Sequence, residues 1–260
     1  METRDRALAK VIAFANQKGG VGKTTSAVNI AAAIGSKGKR VLLIDCDPQG
    51  NCSSGVGINK KNMRLSTYDV LINRAGAENV ITETPYENLW IMPANISLAG
   101  AEFELVSSDE REGRLRKALA PVMDRFDYMF IDCPPSLGVL TVNALVASDG
   151  VIIPMQCEYY SLEGLSQLMV TIRQVKKLYN QGLEITGILV TMYNGRLNLS
   201  VQVMDELKKY YAGKLFSTAI GRSVRLSEAP GFGMPILYFD KNSRGSQAYM
   251  AVADEILERI

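Results

Sequence analysis

The segment Lys18-Gly19-Gly20-Val21-Gly22-Lys23-Thr24-Thr25 packs three glycines, two lysines and two threonines into eight residues. Glycines let a main chain turn tightly enough for successive N–H groups to face one anion. A lysine at position 23 can reach the β- and γ-phosphates of a nucleotide, and the Thr24 hydroxyl is placed to coordinate Mg²⁺. A helix opening near Lys23 adds the positive end of its dipole. The chemistry is phosphate binding, and all eight residues are candidate contacts. The commonest phosphate-loop pattern, G-x-x-x-x-G-K-[ST], would require glycine at position 17, where this chain has glutamine. The variant carries an additional lysine instead. Lys18 lies on the leading edge of the loop, so it can point away from its own nucleotide and reach a partner's.

Three carboxylates follow hydrophobic runs. Asp45 and Asp47 sit in Asp45-Cys46-Asp47-Pro48-Gln49-Gly50-Asn51, and Asp132 ends Phe130-Ile131-Asp132. Residues i and i+2 leave a strand on the same side, so Asp45 and Asp47 can both face the phosphate loop. Asp132 can hold the water shell of Mg²⁺. Thr24, Asp47 and Asp132 are therefore the candidate metal residues. The chain has no histidine, which excludes Ser-His-Asp and Cys-His catalysis and every imidazole-ligated metal. Catalysis must rest on lysines, carboxylates, backbone dipoles and a bound cation.

These residues need strands that stop beside one another. Apolar runs predict strands over 11–15, 40–44, 89–92, 128–131, 150–155, 185–192 and 214–219. Helical patterns cover 23–37, 67–74, 97–106, 111–125, 138–147, 162–178, 200–211 and 246–260. Several strands are apolar at consecutive positions, as in Val41-Leu42-Leu43-Ile44, which suits burial on both faces. The expected fold is α/β: a mostly parallel, doubly wound sheet flanked by helices. The 260 residues read as a single domain, with residues 1–9 as a flexible N-terminal extension. No apolar run approaches the roughly 20 residues of a membrane span, and the start lacks the apolar core of a signal peptide. Cys46, Cys52, Cys133 and Cys157 have no zinc-like spacing and read as reduced thiols. The formal charge of +2 neither demands nor excludes a nucleic-acid partner.

Base recognition has two candidate places. An amide such as Asn194 can pair with both the donor and the acceptor on the adenine edge, and the turn at 230–232 offers Pro230 and Phe232. Asn194-Gly195 reads equally well as a plain turn. Between Arg196 and Arg244 stand eight basic and four acidic residues, a local excess of +4. By charge alone that stretch reads more readily as a solvated face.

With its second loop lysine, the chain resembles the deviant Walker A ATPases, a branch of the P-loop NTPases. The run from Phe126 to Thr141 is similar to that family's FDxxxIDxPPSLGxLT pattern. The segments Leu98–Glu102, Pro154–Leu165, Val224–Pro230 and Ser243–Gly245 resemble the chromosomal ParA/Soj partition ATPases, and the resemblance runs from Lys10 to the end. It implies an ATP-bound homodimer sandwiching two nucleotides, with ATP/ADP and Mg²⁺ as cofactors. Lys18, Lys23 and Asp47 would be the catalytic residues, Lys18 acting in trans, Asp47 orienting water and Asp45 supporting it. It also implies slow ATP hydrolysis stimulated by a ParB-type centromere-binding protein, and a cytoplasmic, nucleoid-associated protein that segregates chromosome or plasmid DNA. Arg196 and Arg225 match positions used for non-specific double-stranded DNA contact; Arg222 and Arg244 complete the candidate set. Ile220-Gly221-Arg222-Ser223 departs from the I-P-R-N of many relatives, which puts the loop around Arg222 in question. Only ten residues precede the first strand, so operator-specific repression is not expected.

Three rivals share the nucleotide fold. A MinD-like membrane-cycling ATPase would need a basic amphipathic C-terminal helix, whereas the polar positions of 248–260 are mostly acidic. An iron–sulfur reductase would need paired cluster cysteines, and Cys133 and Cys157 do not follow the expected loop pattern. A metabolic ATP-dependent ligase or synthetase would lack a reason for the basic region.

Overall fold

The structure, a computed structural model, describes residues 8–260. Seven strands form one sheet: β1 (Lys10–Phe14), β2 (Val41–Asp45), β3 (Thr82–Glu83), β4 (Leu89–Met92), β5 (Tyr128–Asp132), β6 (Gly150–Gln156) and β7 (Glu184–Thr191). Their order is β3-β4-β2-β5-β1-β6-β7. Every pair is parallel except β3 with β4.

Alternation along the strands divides the core into two layers. Ile12, Phe14, Leu43, Phe130 and Ile152 face helix α1 (Lys23–Ser36) and the helix Arg244–Arg259. Val11, Ala13, Ile44, Ile131 and Ile153 face the helices Val139–Ala147 and Ser161–Leu178. This is the doubly wound arrangement expected. The chain leaves β1 toward β2 on one side, and β5 returns to β6 on the other. The crevice at that reversal, outside the carboxyl ends of β1, β5 and β6, is where open α/β sheets bind ligands.

Two expectations need correction. Residues 214–219 are not a strand. This stretch meets β7 through an isolated bridge, Ile188 with Leu215, and single N–H donations, and a second bridge, Tyr193 with Gly221, follows it. The Glu255 carboxylate accepts the N–H groups of Ser217 and Thr218 at 2.8 and 3.0 Å, so they are unavailable to a neighbouring strand. The seventh strand is instead β3, an antiparallel edge piece of two residues. The expected N-terminal extension lies outside the described residues as far as residue 7; Ala9 is buried, and its N–H donates to the Met123 carbonyl at 3.0 Å.

The C-terminal helix buries Tyr249, Val252, Ala253 and Ile256 in the layer shared with α1. That apolar face is core and is unavailable to a lipid surface. Among the described residues no helix is long and apolar enough to cross a membrane. All four cysteines are buried and unpaired with one another.

Gly35 lets α1 pack closely on the turn between β3 and β4: a Cβ there would lie 2.5 Å from the Glu87 carbonyl oxygen. Gly35→Ala forces that backbone apart and should lower the melting temperature by roughly 3–10 °C. Gly164, in the helix Ser161–Leu178, has nothing within 4 Å of such a Cβ. Gly164→Ala should raise the melting temperature by about 1–3 °C. Thermal melts of both variants check the pair, and equal shifts would contradict the packing described.

Candidate active site

The loop between β1 and α1 has the required backbone. Gly22, the residue before the helix, is left-handed at φ 81°, and Gly20 is left-handed at φ 72°. Only glycine adopts this region freely. Helix α1 has no acidic residue in its first turn, so its N-terminal dipole is not offset there. Lys23 is buried, and its Nζ donates to the Lys18 carbonyl at 3.2 Å. Burial pulls its pKa down, opposed by the negative charge of Asp132 and Asp47.

The strand register sets the carboxylates abreast. Asp132 pairs with Phe14 of β1 and with Asp45 of β2. Asp132 accepts the Thr24 hydroxyl on Oδ2 at 2.7 Å, while its buried Oδ1 has no hydrogen-bond partner among the described residues. Burial raises its pKa well above the usual carboxylate range; Asp45 adds to the rise, while Thr24 and Lys23 oppose it. Thus Thr24 and Asp132 meet at the loop.

Asp45 and Asp47 have different jobs. Asp45 is fully buried and faces inward. Its Oδ2 accepts the Ser53 N–H at 2.8 Å and the Ser53 hydroxyl at 2.7 Å, and its Oδ1 accepts the Asp47 N–H at 3.1 Å. Burial still lifts it to about 6 against these bonds. Asp45 therefore holds the following loop in shape, and both of its oxygens are engaged. Asp47 is buried near the surface and accepts the Gln49 N–H on Oδ1 at 2.9 Å. Gly50 then turns left-handed at φ 62°, where a Cβ would strike the Ala94 carbonyl at 2.5 Å. Helix α2 (Asn51–Gly55) follows; it was not expected from the sequence. Ser53 was also missed: its Oγ accepts the Ala94 N–H at 2.9 Å, joining this loop to the end of β4.

Lys18 forms an ion pair with Glu158, just beyond β6. Both side chains are substantially exposed.

Two clefts open beside the loop. One, about 360 Å³, is lined by Gly22, Thr25, Thr191, Pro230 and Tyr249. It adjoins the phosphate loop and contains Pro230 of the three expected base contacts. The other two do not line it. Asn194 lines the neighbouring cleft, and its Oδ1 caps the Arg196 N–H at 3.1 Å, the plain-turn alternative. Phe232 is exposed and packs its ring on Phe239.

The second cleft, about 620 Å³, brings together Arg196, Arg222 and Arg244. No ion pair of any of the three is found among the described residues. Arg225 stands outside it, bonded to Glu228 and Asp240 at 3.2 Å each. The residue before the glycine at 221 is anchored on both sides. The Ile220 N–H donates to the Val190 carbonyl at 2.8 Å, and its carbonyl accepts the Tyr193 N–H at 2.9 Å.

Known proteins resemble this chain over nearly its whole length. A family model described as an AAA domain matches residues 9–185. The sporulation initiation inhibitor protein Soj of Bacillus subtilis is 54% identical over 249 residues, covering 96% of this chain and 98% of that protein. The chromosome partitioning protein ParA of Myxococcus xanthus is 48% identical over 252 residues, covering 97% and 89%. A solved structure, cobyrinic acid a,c-diamide synthase of Mycobacterium smegmatis with bound ATP analogue and magnesium, superposes with a TM-score of 0.85. It is 37% identical and covers 96% of this chain and 95% of its own.

Ser53→Ala would take one of three donors from Asp45 and leave the Ala94 N–H unmet. The expected loss is about 1–3 kcal/mol. Thermal melts should show a fall of roughly 2–10 °C, with faster proteolysis of residues 46–51. An unchanged melt and cleavage pattern would remove Ser53 from this role.

Proposed function

The chain belongs to the ParA/Soj family of partition ATPases, and from that premise we propose an ATP-driven DNA-partition cycle. ATP is the substrate, and the working form is a dimer around two nucleotides. The dimer holds double-stranded DNA without sequence preference and lets go when a ParB-type partner stimulates hydrolysis. The observation that carries the reading is the contact of Thr24 with Asp132 beside a left-handed glycine loop, with one buried Asp132 oxygen left unpaired.

These residues fit Mg²⁺. Among the described residues no three His, Cys, Asp or Glu side chains are grouped to enclose a metal. That suits an ion that keeps several waters and takes few protein ligands. Thr24, Asp132 and Asp47 are the residues that would hold it. When bound, Mg²⁺ screens phosphate charge and draws electron density from the bond that breaks.

The chain's own groups divide the remaining work. Backbone N–H groups of Gly20 to Lys23 bind the phosphates, and Lys23 neutralises charge that develops on the transferred group. Asp47 has one oxygen without a hydrogen bond among the described residues, and that oxygen orients the attacking water. Asp45 acts one step back, by shaping the loop that carries Asp47. Lys18 must leave Glu158 to reach a partner's nucleotide, and an exposed pair of that kind is worth only about 0–1 kcal/mol. The exposed Ile96, Tyr159 and Tyr160 follow β4 and β6 at the nucleotide end of the sheet, which supports pairing through this end.

Arg196, Arg222 and Arg244 supply the main DNA contacts from one cleft, which a dimer doubles. Arg225 joins them only by giving up Glu228 and Asp240. The synthase reading is weaker, since the relative with that name is 37% identical against 54% and 48% for the partition proteins.

Co-sedimentation with DNA in ATP, ADP or no nucleotide tests the cycle. Binding should require ATP and fall steeply with salt; equal binding in all three states would refute it. In the same assay Arg196→Glu should weaken retention and flatten the salt slope by about one unit. Arg225→Glu should do so less, because two carboxylates already offset that charge.

Lys18→Ala should remain monomeric in ATP while still binding nucleotide, and Asp47→Ala should accumulate as an ATP-bound dimer that turns over poorly. Light scattering and phosphate release separate these outcomes. A dimeric, fully active Lys18→Ala protein would end the trans assignment.

A further inference from the structure

Behind the phosphate loop stand two side chains that the reaction scheme leaves unused. Gln156 is the last residue of β6 and Thr191 the last of β7, and the two are register partners. Gln156 Nε2 donates to the Gly20 carbonyl at 2.8 Å. Thr191 Oγ1 donates to the Val21 carbonyl at 2.8 Å. Adjacent strand ends therefore grip adjacent carbonyls of the loop.

A trans peptide is planar, and its C=O and N–H point in opposite directions. Fixing the carbonyl of Gly20 fixes the N–H of Val21; fixing the carbonyl of Val21 fixes the N–H of Gly22. Both N–H groups are thereby turned away from β6 and β7, toward the open side of the loop. Three glycines would otherwise leave this segment many conformations, and ordering them on binding costs affinity. The Thr191 hydroxyl has one proton to donate. Its Val21 contact is shorter than its contact with the Met155 carbonyl at 3.1 Å. The Thr191 side chain also borders Gly22, where a Cβ would stand 3.7 Å from its methyl group.

We propose that Gln156 and Thr191 are positioning residues for the nucleotide phosphates, holding the loop's carbonyls back so that its N–H groups are preorganised as an anion cradle. The proposal rests on the nucleotide reading above. It assigns these two residues to binding rather than to the chemical step, since each acts on the loop's backbone.

The test measures ADP affinity with Mg²⁺ by calorimetry, the melting temperature without nucleotide, and the KM and kcat of ATP hydrolysis. Thr191→Val keeps the shape and loses the donor; Thr191→Ser restores it. Thr191→Val should raise the Kd for ADP about tenfold, the scale of one lost buried hydrogen bond. Thr191→Ser should stay within about threefold of the parent. Gln156→Leu should raise the Kd in the same direction, and in both weakened variants KM should rise while kcat changes little. Gln156 is partly exposed, so its variant carries the test alone if Thr191→Val fails to fold. A folded Thr191→Val or Gln156→Leu that binds ADP as tightly as the parent overturns the proposal. So does a serine variant as weak as valine. Failure of the parent itself to bind ADP would instead remove the nucleotide reading on which the proposal stands.

Discussion

Two buried carboxylates facing each other across neighbouring strands govern the architecture of this centre. Asp45 and Asp132 are register partners, both fully buried, and burial resists the charge of each. The fold treats them unequally. Asp45 receives three hydrogen bonds and becomes part of the scaffold. Asp132 receives one, from Thr24, and lies near the Lys23 ammonium. One Asp132 oxygen thus stays without a hydrogen bond among the described residues, beside a buried lysine. Buried charge of this kind costs stability unless it is paired.

Much of this was legible in the chain because local chemistry dictates it. The strand-to-helix glycine loop, the strand end at Asp132 and the turn after Asp47 follow from residue types and their spacing. The doubly wound sheet followed from consecutive apolar residues such as 41–44, which lie in core on both faces. What could not be read depends on distant partners. Residues 214–219 have strand-like composition, yet Glu255, some 37 positions away, takes two of their N–H groups. Asn194 accepts the N–H of Arg196, a turn contact that residue type alone left open beside a base contact. Ser53 and Thr191 carried only a faint signal, a polar residue on a short loop helix and another at the end of an apolar strand. Their importance comes from the carbonyls and carboxylates that other segments bring to them.

The two clefts share a wall made of Met192, Gly221, Arg222 and Ser223. The backbone there is tied to Val190 and Tyr193, so one anchored segment borders both clefts.

The stretch after residue 214 has a further effect at the rim of the sheet. Phe216 and Ile220 each donate one N–H to β7, at the carbonyls of Ile188 and Val190, while Glu255 draws the intervening chain away. The outermost full strand is thus covered by a partner too irregular to serve as a template for another. An exposed regular edge invites neighbouring molecules to add strands without limit. Here a glutamate on the last helix takes two N–H groups that a regular edge strand would present.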